Sequence, residues 1–87
     1  MTITGDEAIK IGMELRANIG GNAFSTDRLW RITTPDFVAG VCEYNGEVTG
    51  ATKELREEVF YSANMHYWHL VFARRGWKVE QIEDRIP

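Results

Sequence analysis

The chain has 87 residues, 44% of them hydrophobic and 26% charged, with a net charge of −3 and one cysteine. That describes a single soluble globular domain with one modest core, and it argues against a disordered tail, a disulfide-stapled scaffold or a general nucleic-acid binder with a basic footprint. The start, Met-Thr-Ile-Thr-Gly-Asp-Glu, has no signal-peptide pattern and no apolar run approaches a membrane span, so the expected location is cytoplasmic.

Thr4-Gly-Asp-Glu7 has the form of a capping box and should open a helix, with Asp6 and Glu7 in the first turn where the helix dipole favours negative charge. Ala8, Ile11, Gly12, Leu15 and Ile19 then fall on one stripe. Gly12 in that stripe points to close approach of a strand or a second helix, and Gly20-Gly21 should end the element. A polar connection, Asn22 to Asp27, carries Phe24.

Arg28 to Thr33 alternates as a half-buried strand, with Leu29, Arg31 and Thr33 facing one way and Trp30 and Ile32 the other. Pro35 breaks it. The next strand, Phe37 to Tyr44, is largely apolar on both faces, which suits an interior position. Gly40 within it marks either a bulge or close helix packing. Asn45-Gly46 is the signature of a two-residue type I′ turn, and Glu47 to Thr52 is the return strand.

Lys53 to Phe60 favours helix, and Ser62 or Asn64 should cap a further helix running to Arg75; the pattern leaves one bent helix or two separate ones open. Met65, Tyr67, Trp68, Leu70, Val71 and Phe72 cover a wide arc of it, more than one small core is expected to cover. A homodimer is one expected consequence. Arg74-Arg75 followed by Gly76 ends the helix, and Trp77 to Ile82 alternates as a last strand. The predicted fold is α+β in the order α-β-β-β-α-β: a small mixed or antiparallel sheet of about four strands with two main helices packed on one face.

Three segments, Thr34-Pro-Asp-Phe-Val-Ala-Gly-Val41, Gly46-Glu-Val48 and Arg74-Arg-Gly-Trp-Lys-Val-Glu80, resemble a set of small uncharacterised phage and prophage proteins. In those an FVAGV-type strand, a G-x-V return and a terminal (R/K)-x-G-W-x-V strand recur in that order. The likeness runs from Thr33 to Glu80, departs between Ala51 and Met65, and leaves out the first helix. It implies a phage setting and a shared fold, and carries no catalytic residue across.

The candidate chemistry is sparse. His66 and His69 lie three apart, but neither His-Glu-x-x-His nor Cys-x-x-Cys spacing occurs, so no metal site is expected. Cys42 sits mid-strand, away from the turn or helix terminus that activates a thiol, and reads as an inert core residue. No enzyme activity and no cofactor are expected.

Two functional readings follow. The first is a non-enzymatic phage-type protein that docks on a host or phage protein complex, in its most concrete form an anti-CRISPR-like inhibitor of a host defence complex. Its contacts would be the surplus aromatics and acids Phe24, Trp30, Glu54, Glu57, Glu58, Tyr61 and Tyr67. The alternative is a nucleic-acid-binding accessory of phage replication or recombination. That reading needs Arg28, Arg31, Arg74, Arg75 and Lys78 to form one basic, aromatic-bearing face.

Overall fold

The computed structural model describes residues 1–19, 26–59 and 63–84. Over these the chain forms β1 (Thr2–Ile3), α1 (Gly5–Ile19), β2 (Arg28–Thr33), β3 (Val38–Tyr44), β4 (Glu47–Ala51), α2 (Lys53–Glu58), α3 (Met65–Arg75) and β5 (Lys78–Ile82). One mixed sheet has the order β1-β5-β2-β3-β4, with β1 parallel to β5 and every other pair antiparallel. The class is mixed α+β, as the sequence predicts. The strand count is five rather than four, because β1 adds two residues beside Gln81 and Ile82. A two-residue strand has no alternation to detect.

The helices lie on opposite faces, not on one. The α1 stripe of Ala8, Leu15 and Ile19 packs with Leu29, Cys42 and Ile82. On the other face Leu55 of α2 and Met65, Trp68 and Phe72 of α3 pack with Ile32, Ala39, Val41 and Ala51. Alternation along β3 explains this. Ala39 and Val41 point one way, Gly40 and Cys42 the other, and all four are buried, so each side of the strand needs a covering layer.

Gly40 lets α1 come close: a Cβ there would lie 3.0 Å from both Leu15 and Ile19. Gly12 serves the same end on the helix, where a Cβ would stand 2.6 Å from Asp84 Cβ, just beyond β5.

The hairpin between β3 and β4 turns at Asn45 and Gly46, both with positive φ (53° and 85°), as a type I′ turn demands. Further along, Cys42 faces Gly50 while Glu43 faces Val48, leaving Thr49 as an extra residue whose hydroxyl donates to the Cys42 carbonyl at 3.2 Å. Beyond β4, Thr52 is buried and clamps β3: its Oγ1 accepts from the Gly40 N–H at 2.9 Å, and its own N–H donates to the Gly40 carbonyl at 3.0 Å. The clamp leaves that hydroxyl without a capping bond to α2.

The region after β4 holds two helices. Asn64 caps α3, its side chain accepting from the His66 and Tyr67 N–H groups, and Gly76 closes it in the left-handed conformation. The backbone at the start of α3 also joins the hairpin: Glu47 bridges to Asn64, the Met65 N–H donates to the Gly46 carbonyl at 2.9 Å, and the Val48 N–H to the Ala63 carbonyl at 2.7 Å. Only part of the wide apolar arc of α3 is buried. Met65, Trp68 and Phe72 face the sheet, whereas Tyr67 and Leu70 are 36% and 51% exposed. No helix among the described residues is long and apolar enough to cross a membrane.

Candidate functional site

A groove of about 570 Å³ opens where the β3–β4 turn meets the start of α3. Its side chains come from four elements: Arg28 and Trp30 from β2, Glu43 from β3, Glu47 from β4, and His66 and His69 from α3. The register makes this convergence unavoidable. Arg28 lies opposite Glu43 and Trp30 opposite Val41, so alternation sends all three polar or aromatic side chains to the face that α3 covers.

The groove floor is tightly connected. Trp30 Nε1–H donates to Glu43 Oε1 at 2.8 Å, and Glu43 is only 8% exposed. The His69 ring meets the Trp30 ring edge-on at 4.7 Å between centroids and Phe72 at 5.8 Å. Burial among these rings pushes the His69 pKa below its ordinary value, helped by His66 and Arg28 and opposed by Glu43. The aromatic series continues from Phe72 to Trp77 and from Trp77 to Phe37. Thus the indole of Trp77 sits at the core margin, while Trp30 also borders the groove.

The two expected residue sets fare differently. Of the docking set, Trp30 lines the groove, Glu54, Glu57 and Glu58 are exposed on α2, and Tyr67 is on the outer side of α3; Phe24 and Tyr61 lie outside the described residues. The basic set is not one face. β2 and β5 are neighbours, as that reading requires, but Arg31 and Lys78 lie on the α1 side of the sheet, both turned to the buried Glu80, at 2.9 and 3.8 Å. Arg28 is on the opposite side, at the groove. Arg75 pairs with Glu58 and stacks 5.0 Å over Trp77, leaving Arg74 exposed at the end of α3.

Elsewhere the chemistry reads as structural. Cys42 is fully buried, and burial pushes its thiol pKa up. Among the described residues no group of three or more His, Cys, Asp or Glu side chains is placed to hold a metal ion. A second cleft, about 480 Å³, lies between α1 and the end of β5. At its wall Arg16 makes two bonds to Asp84, at 2.9 and 3.1 Å, and the Asp84 hydrogen bond raises the Arg16 pKa.

Sequence reasoning missed Glu43 as a site residue. Its signal was present: an acid on the same strand face as Phe37, Ala39 and Val41, where the alternation demands an apolar residue. No protein-family model, curated protein or solved structure matches the chain.

Proposed function

We propose that this protein is a non-enzymatic binding protein of phage type that docks on a macromolecular partner through its α2–α3 layer. In its most concrete form it inhibits a host defence complex in the manner of an anti-CRISPR protein. The observation that carries the docking reading is the outer ridge of α3. Tyr67 and Leu70 are large, adjacent on the helix surface and exposed, although the helix has a complete buried stripe without them. The exposed acids Glu54 and Glu57 on neighbouring α2 supply a polar rim of the kind that surrounds an apolar contact centre. The phage setting rests on the sequence resemblance alone.

The nucleic-acid reading has weaker support, since three of its five cations are engaged with acids and the set is split between two faces. Co-purification from infected or lysogenic cells, with and without nuclease, separates the two. Docking predicts a defined protein partner that survives nuclease, is lost with Tyr67→Ala plus Leu70→Ala, and is retained with Met13→Ala on α1. Equal recovery with all three proteins would sink this surface, and nuclease-sensitive, steeply salt-dependent recovery would favour nucleic acid.

A further inference from the structure

Three carboxylates among the described residues are largely withdrawn from water. Glu80 is 3% exposed, and both Arg31 Nε and Nη2 donate to its Oε1, at 3.0 and 2.9 Å. The Asp84 side chain is 13% exposed and takes two bonds from Arg16. Glu43, at 8%, is the exception. Its hydrogen bond comes from the neutral indole of Trp30, and among the described residues no cation lies within ion-pair distance of it.

The nearby candidates do not fill that role. Arg28 lies directly opposite Glu43 on β2, yet pairs with no acid among the described residues. His69 is wedged between Trp30 and Phe72. His66 is exposed at the start of α3, and Glu47 on the rim adds a second negative charge. Among the described residues no side-chain oxygen is both buried and without a partner, so the second oxygen of Glu43 is not sealed from solvent, and Glu43 lines the groove.

Buried carboxylates in folded proteins are compensated by a positive partner or by several hydrogen bonds. Here that position is open, faces a groove of about 570 Å³, and has the aromatic rings of Trp30 and His69 beside it. We propose that the groove receives an arginine side chain presented by the protein partner, its guanidinium bonded to Glu43 and lying among the Trp30 and His69 rings. Guanidinium suits the position better than ammonium, because it is planar, more weakly hydrated and stacks on aromatic rings. This assignment rests on the docking reading above and adds the chemistry of one anchor to it.

The test is a titration of the ¹⁵N-labelled protein with N-acetyl-arginine amide, with the citrulline analogue as a neutral probe of the same shape. Saturable shifts of the Trp30 indole resonance and the Glu43 and His69 amides are expected with the arginine probe and not with citrulline. Glu43→Gln, which still offers the indole an acceptor, should weaken the response at least tenfold while the thermal midpoint shifts by no more than a few degrees. Arg28→Gln should strengthen it, by removing a like charge. Three results would each overturn the proposal: no saturable response in the wild type, an undiminished response in Glu43→Gln, or an Arg28→Gln spectrum in which the indole resonance moves as far as in Glu43→Gln. The last would mean that Arg28 itself occupies the position. A response to single-stranded oligonucleotide at these resonances without one to arginine would also overturn it. Co-purification that is unchanged by Glu43→Gln would reject the anchor while leaving docking intact. Loss of partner capture altogether, with the arginine response retained, would reject docking instead.

Discussion

Trp30 and Glu43 are joined by a 2.8 Å hydrogen bond although they are diagonal neighbours: the register partner of Trp30 is Val41, and that of Glu43 is Arg28. The indole therefore reaches along the sheet to serve a carboxylate that its direct partner leaves alone. Trp30→Phe should cost about 1–3 kcal/mol, since it removes the donor to a buried acid. Glu43→Gln keeps an acceptor and should change stability by less than about 1 kcal/mol. Urea unfolding of both variants checks the contrast; equal losses would mean that the bond is incidental.

The close approach of α1 to the end of β5 makes Gly12 hard to replace. Alanine gains about 1 kcal/mol of helix propensity, but its Cβ would collide with the Asp84 side chain and displace it from Arg16. Overpacking of this kind costs about 1–3 kcal/mol, so Gly12→Ala should be neutral to destabilising despite the propensity gain. Adding Asp84→Gly should recover stability in the Gly12→Ala background while lowering it in the wild type. A double-mutant cycle in urea measures that sign reversal.

Thr52 should tolerate serine and reject valine. Valine has nearly the same shape, but it leaves the buried Gly40 N–H without the oxygen that now accepts from it at 2.9 Å. The expected loss is about 1–3 kcal/mol for Thr52→Val, against a small fraction of that for Thr52→Ser. Amide exchange at Gly40, read by NMR, should accelerate with valine alone.

His69 should make the protein less stable in mild acid. Its pKa is depressed by burial in the folded chain and returns to about 6.5 on unfolding. Above that value both states are neutral and its contribution is complete. As the pH falls below it, the unfolded chain takes up the proton first, and stability declines until the folded pKa is passed. His69→Phe removes this component, so the stability of the wild type relative to His69→Phe should fall between pH 7.5 and 5. Paired urea curves across that range test it.

Much of this fold was legible because its local signals agree with one another. Asn45-Gly46 and Gly76 each carry a backbone conformation that few other residues supply and occupy the places expected of them, and Asn64 is one of the two caps the sequence offered for α3. The facing of β2 and β3 followed from alternation alone. What local signals could not convey was which layer each helix would join. That depends on tertiary pairing, although the double-sided burial of β3 already required two layers. The groove was less legible still. Arg28, Trp30, His66 and His69 were each visible as residues of interest, but nothing local brings β2 and α3 together. The basic face fails for a different reason, one already legible in the alternation of β2: Arg31 and Arg28 lie three apart on a strand and so point to opposite sides.

The backbone link between the hairpin turn and the start of α3 has a consequence for binding. Two main-chain hydrogen bonds, Met65 to Gly46 and Val48 to Ala63, hold one wall of the groove to the other. The width of the opening is thus fixed before any partner arrives. A side chain entering it would bear its own loss of rotamer freedom, with little added for ordering the receptor. That preorganisation favours a short, stiff anchor over an adaptable contact, and slow amide exchange at Met65 and Val48 would be its signature in the free protein.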